Sequence, residues 1–371
     1  MRIAPLLLVA LSGCAQIFGL SSPKPADASG GGSNDAPVSD APPGDALDAH
    51  LDLPDAAPGH CTTIADCPTS VCLPSTLCAA DTDVAWLSAT GTSNSACSMA
   101  TPCNTLSLAL NTNRPYIRVH GTVSNLISIN RDVSIFGEPG AAFTNSNLQI
   151  NGGNVGVYEL ELSNSCVDAN AGTLTAQHIY VHNCTGTAIS AGGVLNLDAS
   201  RIENNRNGGV DLNASTFTIT NNEIAGNGLQ GAASDIGGIR IEITTVSPTS
   251  KIDFNTIVGN NIKSTSNAAG GLYCNAAGFT ANGNVIAENL VNGSPSTTYA
   301  NTAGACQNVS SVIQTSVGML GFASVATGDF HISATSPLRN AATVTGPATD
   351  YDGELRPEGS AYDIGADEYH P

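Results

Sequence analysis

The residues with the most evident chemical capability stand at two positions that recur along the middle of the chain. They are Glu161, Tyr180, His182, Arg201, Glu203 and Glu223. Carboxylates one or two repeats apart span the separations used in glycoside hydrolysis, whereas tyrosine and arginine can bind glycans by stacking and by bidentate hydrogen bonds. The catalytic candidates are therefore Glu161, Glu203, Glu223 and Arg201, and the binding candidates are Tyr180, His182, Arg201 and Glu161.

These residues can meet only if a repeating element stacks them, and the apolar pattern supplies one. Triplets of apolar residues recur at relative positions 0, +2 and +7, and their third members are Leu162, Val181, Ile202, Ile224 and Ile286, with Ile257 in a coil whose first position is Ser250. The +2 step is the strand period, and the interval to +7 allows a turn into a second strand. One repeat is thus one turn of a solenoid, with the third members inside and their neighbours outside.

Asparagine and glycine mark the corners of the predicted coils. Asn222, Asn255 and Asn284 each stand two residues before a third member, where their side-chain amides can bond from coil to coil. Gly-Gly pairs precede Val210, Ile239 and Leu272 at equivalent places. The extra residues of the two longest repeats fall in 229–250 and 262–300, which we expect to be loops.

The repeat resembles the right-handed parallel β-helix of the pectate-lyase-like superfamily over residues 81–371. Segments around Trp86, Pro102 and Leu106 look like that family's entry, where a short helix caps the core, and Ser336, Asp352 and Asp363 lie in motifs like the closing segment of β-helix surface proteins with a variable anchor. The fold class expected is all-β, a single-stranded right-handed parallel β-helix. The resemblance implies that any substrate would lie across an outward strand face.

The same residues have a simpler interpretation, in which Arg201 and Glu223 form an ion pair on a solvated face. The paired-aspartate and Gly-His-Gly motifs of polygalacturonases do not occur, nor does the aspartate cluster that binds calcium in pectate lyases. Asp350 and Asp352 are a weak calcium candidate, because they lack a distal bidentate glutamate. A turn that closes the solenoid is the preferred interpretation there, and no cofactor is expected.

Ten cysteines remain after Cys14, an even number that favours five disulfides in an exported chain. Cys61, Cys67, Cys72 and Cys78 form a small cysteine-rich segment over 61–80, for which a four-thiolate zinc site is the alternative. Cys97 can pair locally with Cys103. Stacking would bring Cys274 to Cys306 and Cys166 to Cys184, because strands lie about 4.8 Å apart.

The N-terminus predicts export and lipidation. An apolar run follows Arg2 and ends in Leu11-Ser12-Gly13-Cys14, which resembles the lipobox of bacterial lipoproteins and implies a signal peptide over 1–13 and a lipid on Cys14. Residues 14–60 contain a tether with seven aspartates and one lysine between positions 21 and 60. Ala15 is not the aspartate that retains such proteins at the inner membrane, so the resemblance implies delivery to the outer membrane of a Gram-negative envelope, at the cell surface or the periplasmic face.

The net charge of −19, with 12 Lys and Arg against 31 acids, argues against nucleic acid as a partner. Three hypotheses follow: a non-catalytic surface protein that binds a glycan or envelope component, a polysaccharide lyase or hydrolase, and a purely structural envelope lipoprotein. Binding is preferred, because the acids show no evident wall that would bury one of them and shift its pKa. The protein is expected to be a monomer.

Overall fold

The computed structural model describes residues 61, 66–69, 71–73, 75–124, 127–214, 216–228, 234–263, 268–294 and 300–371. Its architecture is a right-handed parallel β-helix, as the repeat predicts. The signal peptide, Cys14 and the tether lie outside the described residues. Among the residues described, no helix is long and apolar enough to cross a membrane.

The described residues form one α-helix and many short strands. The helix α1 covers Leu106–Asn111. The first fourteen strands are β1 Val84–Thr92, β2 Tyr116–His120, β3 Thr122–Val123, β4 Val133–Gly137, β5 Ala142–Thr144, β6 Leu148–Tyr158, β7 Glu161–Ser163, β8 Val167–Gln177, β9 Tyr180–His182, β10 Thr187–Ala191, β11 Val194–Asp198, β12 Arg201–Glu203, β13 Gly208–Leu212 and β14 Phe217–Thr220.

The remaining strands are β15 Glu223–Ala225, β16 Ile239–Ile241, β17 Lys251–Asp253, β18 Thr256–Val258, β19 Asn261–Ile262, β20 Leu272–Cys274, β21 Thr280–Asn282, β22 Val285–Ala287, β23 Leu290–Val291, β24 Thr302–Gly304, β25 Asn308–Val309, β26 Val312–Gln314, β27 Phe322–Ser324 and β28 Asp329–Ile332. Single turns of 3-10 helix cover Asp81–Asp83 and Val325–Thr327.

Parallel pairing between successive coils builds two main sheets. A small sheet of nine strands runs in the order β26-β22-β18-β15-β12-β9-β7-β5-β3. A large sheet of fifteen strands has two stacks, β10-β13-β16-β20-β24 and β11-β14-β17-β21-β25, which merge in the long strands β8 and β6. Such parallel sheets bury one face in the solenoid core, so their inward positions must be apolar.

The core confirms the predicted interior stack. Leu162, Val181, Ile202, Ile224, Ile257 and Ile286 pair in register along the small sheet, and all six are fully buried. Ser250, which departs from the apolar pattern, is buried and accepts a hydrogen bond from the backbone of Phe217 at 3.2 Å.

Two asparagine ladders run inside the solenoid. In the predicted one, the side chain of Asn222 donates to Oδ1 of Asn255 at 2.9 Å, and Asn255 donates to Asn284 at 3.0 Å. The second ladder joins Asn205, Asn227, Asn260, Asn289 and Asn301 in the same way. Each rung also satisfies backbone groups at a turn, so buried polar groups lie in the corners without loss of hydrogen bonds.

Five disulfides link the cysteines. Cys61 pairs with Cys72 and Cys67 with Cys78, which resolves the pairing within the cysteine-rich segment, and Cys97 pairs with Cys103. Between coils, Cys166 and Cys184 have Cα atoms 5.3 Å apart, and those of Cys274 and Cys306 are 5.1 Å apart.

The first coil is closed at its N-terminal end. Helix α1 buries Leu106, Ala109 and Leu110 in the main core, and its N-cap Thr105 accepts a hydrogen bond from the backbone of Leu108. The Cys97–Cys103 loop pairs with the outer edge of β1, where the backbone N–H of Trp86 donates to the carbonyl of Cys97 at 2.8 Å.

After β26 the chain leaves the solenoid and folds back across the outward face of the small sheet. We call residues 315–371 the C-terminal cover. Its apolar side chains, including Phe330, Leu338 and Ile364, pack against outward residues of β15, β18 and β22. The backbone N–H of Ala366 donates to Oγ1 of Thr256 at 3.0 Å, and that of Gly365 donates to the carbonyl of Gly283 at 2.8 Å.

Candidate functional site

The six predicted residues lie on the outward face of the small sheet, in the register that the repeat indicates. Glu161, Tyr180, Arg201 and Glu223 face one another in successive coils. His182 and Glu203 form the neighbouring column, two residues further along strands β9 and β12. Strand alternation places both columns on one side, because residues two apart point the same way. We refer to the six together as the polar strip.

The side chains of the polar strip bond mainly to one another. Glu203 accepts from Nε and Nη2 of Arg201 at 2.8 and 2.6 Å, and it also accepts from the hydroxyl of Tyr180. Oε1 of Glu161 lies 2.8 Å from Nε2 of His182. The Arg201–Glu223 contact anticipated from the sequence is longer, at 4.0 Å between Nη1 and Oε2. The main partner of Arg201 is therefore Glu203 in its own strand.

The rings add a second set of contacts to the polar strip. The rings of Tyr180 and His182 stack, with centroids 4.2 Å apart and an interplanar angle of 16°. The guanidinium of Arg201 lies 5.6 Å from the centre of the Tyr180 ring. Tyr180 is only 8% exposed, and burial raises the pKa of its hydroxyl. Glu161 is the most exposed of the charged strip residues, with 29% of its side chain accessible, whereas the His182 side chain is 14% exposed.

The expectation that the strip acids lack a burying wall is wrong for Glu223. The C-terminal cover lies over this residue, which is 3% exposed, and burial raises the pKa of its carboxyl to about 8 despite Arg201 nearby. Tyr351 of the cover, which is half-buried, lies beside it, and desolvation together with the Glu223 carboxyl raises the pKa of Tyr351. Gly328 presses on the guanidinium of Arg201, where a Cβ atom on residue 328 would collide with Nη2. Half of the polar strip is thus an internal interface.

A charged cluster lies where the cover meets this interface. His331 is 2.6 Å from Asp329 and 2.8 Å from Asp352, and together these hydrogen bonds raise the pKa of the imidazole to about 10. Oxygen and nitrogen atoms of His331, Asp352 and Asp367 lie within 4.8 Å of one another, a spacing that could hold a metal ion. Both ring nitrogens of His331 are hydrogen-bonded to aspartates, so a metal ion would have to displace one of these contacts and the proton held there.

The carboxylate of Asp350 is occupied by its own loop. Its Oδ1 accepts the backbone N–H groups of Asp352 and Glu354 at 3.0 and 2.8 Å, and its Oδ2 accepts that of Glu368 at 3.0 Å. This geometry suits a turn that fixes the end of the chain. The second carboxylate of the calcium candidate, Asp352, is bound to His331 as described above.

A polar cleft beside the turns that follow β9 and β12 was not predicted from the sequence. It has a volume of about 540 Å³ and is lined by Thr185, Thr187, Arg206, Asn207, Ser234, Asp235, Ile236 and Arg240. Arg240 is fixed by Asp211 through two hydrogen bonds of 2.8 and 3.0 Å. Arg206 is exposed and forms no ion pair with any residue that the structure describes.

Chain connectivity links the cleft to the strip. Thr185 stands three positions after His182, and Arg206 stands three positions after Glu203. The turns that follow β9 and β12 therefore connect the polar strip to the cleft. The sequence signal for the cleft is faint, because its lining residues come from turns and show no fixed spacing.

Comparison with known proteins identifies fold similarity only. No protein-family model and no curated protein matches the chain. Among solved structures, the crystal structure of pectate lyase Pel9A is similar, with 15% sequence identity and a TM-score of 0.43, over 78% of this chain and 100% of that one.

Proposed function

We propose that this protein is a lipid-anchored outer-membrane lipoprotein that binds a glycan at the cell surface and does not cleave it. The lipobox at Cys14 and the acidic tether support the anchor. The binding surface would be the cleft together with Glu161 and His182 of the polar strip. A solenoid held away from the membrane on a long tether suits repeated weak contacts, which gain avidity when many copies share one membrane.

The observation that carries this proposal is the lining of the cleft. Hydroxyl and amide groups of Thr185, Thr187 and Asn207 line the cleft together with the exposed Arg206 and with Arg240 and Asp235. Its volume of about 540 Å³ falls within the range of small-ligand sites. Hydroxyls and amides match the hydroxyl groups of a sugar, and an arginine without an acidic partner matches a sugar carboxylate. The ligand class proposed is therefore a glycan that carries carboxylate groups.

Burial argues against catalysis at the same face. A general acid or base needs a shifted pKa and access to the substrate. The strip carboxyl with a strongly raised pKa is that of Glu223, and only 4% of its side chain is exposed beneath the cover. A polysaccharide lying on the outer surface could not reach it. The lyase or hydrolase hypothesis would require the C-terminal cover to open.

A glycan array tests the proposal when it is probed with the chain without its predicted lipid. We expect retention on glycans that contain uronic or sialic acids, and weaker retention on neutral glycans. Arg206→Ala should abolish most of the retention, and His182→Ala should reduce it. Lys251→Ala is the matched control, because it removes one positive charge from β17, which contributes no residue to the cleft lining, and should leave binding unchanged.

The two alternative hypotheses, an enzymatic function and a purely structural role, predict different results with the same proteins. Release of reducing ends or unsaturated uronides from a polysaccharide panel, lost in Glu203→Gln or Glu223→Gln, would replace binding by enzymatic function. Neither retention nor turnover would leave the purely structural role. Equal loss of binding in Arg206→Ala and Lys251→Ala would show only a general charge effect and would contradict binding in the cleft.

A further inference from the structure

The C-terminal end of the β-helix is built differently from its N-terminal end. Strands β24, β25 and β26 form the last coil, and each is the terminal strand of its stack, with a partner on one side only. The C-terminal cover runs over the side of the small sheet. The first coil, in contrast, is closed by α1 and the Cys97–Cys103 loop.

Apolar side chains are exposed at this open end. Ile313 continues the interior stack beyond Ile286, yet it is 42% exposed because no further coil lies on it. Val309 is also 42% exposed, and Met319, just after the last coil, is 88% exposed. Ile313 therefore lacks the stabilisation by burial that the other residues of the stack have.

The open end also lacks the features by which proteins protect free strand edges. Such edges usually carry a charge or a proline that prevents pairing with another chain. From Thr302 to Gln314 there is neither. The uncharged region is longer still, because no Asp, Glu, Lys, Arg or His occurs from Asn289 to Gly328 in a chain whose net charge is −19.

We infer that the protein forms a tail-to-tail dimer in which the last coils of two copies meet. Strands that are parallel within one copy would pair antiparallel with their equivalents across a two-fold axis, and Ile313 and Val309 of both copies would be buried. This inference replaces the monomer expected from the sequence and does not depend on the proposed glycan function.

The charge of the chain and the capping of its N-terminal end together indicate that the partner at the open end is a second copy of the chain. Two chains of net charge −19 repel each other across most of their surface, so they can approach closely only through an uncharged face. At the N-terminal end, α1 and the Cys97–Cys103 loop cover the first coil, and the unpaired edge of the small sheet is limited to the two residues of β3. A head-to-tail arrangement, which would extend into a fibre, is therefore disfavoured. Contact between the C-terminal ends of two copies leaves no such end free, so the assembly stops at a dimer.

Sedimentation equilibrium of the Cys14→Ser chain, which lacks the predicted lipid, tests this inference. We expect a monomer–dimer equilibrium in the micromolar range that shifts toward dimer as salt screens the repulsion. Ile313→Asp should weaken the dimer by about tenfold or more, because it would place a carboxylate in the interface. Met99→Asp is the matched control, since Met99 is 58% exposed near the capped end, and it should leave the dimer intact.

A second pair of variants protects the test against misfolding and identifies the geometry. Val309→Asp changes an exposed side chain outside the interior stack and should also give monomers with an unchanged circular dichroism spectrum. A cysteine introduced by Gln314→Cys should form a disulfide between two copies on mild oxidation. A wild-type chain that is monomeric at all concentrations, or a dimer that survives both aspartate variants, would overturn the inference.

Discussion

The guanidinium of Arg201 lies 4.0 Å from the carboxylate of Glu223, at the boundary between the open and the covered parts of one sheet face. Arg201 bonds closely to Glu203, which leaves Glu223 with a distant cation and little water. The buried carboxyl therefore favours its protonated form. Glu223 is buried beneath the C-terminal cover, so the stability of the covered structure depends on the protonation of this carboxyl.

We predict that the protein loses stability as pH rises. The pKa of Glu223 is about 8 in the folded chain against 4.5 ordinarily, so its contribution to the free energy of unfolding is complete below pH 4.5 and is lost as pH rises through 8. Each unit of this difference corresponds to about 1.4 kcal/mol. His331 acts in the same direction, since its pKa rises from 6.5 to about 10.

Denaturation with urea from pH 4 to pH 10 measures this loss. Glu223→Gln should flatten the pH dependence between about pH 5 and pH 8 and make the protein more stable than wild type at the alkaline end. Glu242→Gln, at an exposed position directly after β16, is the control and should keep the wild-type slope. Identical slopes in all three proteins would show that Glu223 ionises normally.

The interior stack gives a prediction with a built-in control. Ile224 and Ile313 occupy equivalent positions of the same stack, but Ile224 is fully buried and Ile313 is 42% exposed. Ile224→Asp should prevent folding, because an unpaired buried charge costs several kcal/mol. Ile313→Asp should leave the monomer folded. Circular dichroism and the fluorescence of Trp86 report the difference, and two variants of equal stability would contradict the assigned stack.

Much of the fold is readable from the sequence because it repeats. The triplet ending in Ile224 recurs in its neighbours at nearly one coil length, and this spacing alone sets the register of the small sheet. The second asparagine ladder was also readable, since Asn205, Asn227, Asn260 and Asn289 each stand three residues after a stack residue. Features that repeat at a regular spacing can therefore be recognised from the sequence.

The C-terminal cover was not predictable in the same way. Its hydrogen bond from Ala366 to Thr256 joins residues far apart in sequence, and residues 315–371 show no repeat that would reveal such a contact. The register placed Glu223 and Thr256 correctly on an outward face, which in an uncovered solenoid would be exposed. Only the three-dimensional structure shows that Glu223 is buried.

Membrane attachment remains a prediction from Cys14, which lies outside the described residues. Cys14→Ala should release the chain from the membrane fraction or leave its signal peptide uncleaved, because the thiol is the site of lipid addition. Fractionation of cells and the mass of the mature chain measure both effects. Ser12→Ala, which keeps a small residue before the cysteine, should still be processed. Unchanged processing and membrane association of Cys14→Ala would disprove the lipoprotein assignment.

The first asparagine ladder makes the sharpest prediction about polar burial. Asn255 donates to Asn284, accepts from the backbone and the side chain of Asn222, and donates to the carbonyl of Ile219 at 2.9 Å. Asn255→Ala would leave these groups buried without partners, each at a cost of about 1–3 kcal/mol. We therefore expect a loss of several kcal/mol, which is a large part of the stability of a typical domain.

Thermal unfolding followed by circular dichroism measures this loss, with Asn213→Ala as the control, because Asn213 is exposed at the end of β13. Asn255→Asp separates shape from hydrogen bonding. It keeps the acceptor for Asn222 but removes the donors to Asn284 and Ile219, so it should destabilise the protein as Asn255→Ala does. If Asn255→Ala costs no more than Asn213→Ala, the ladder contributes little, and apolar stacking alone holds the coils together.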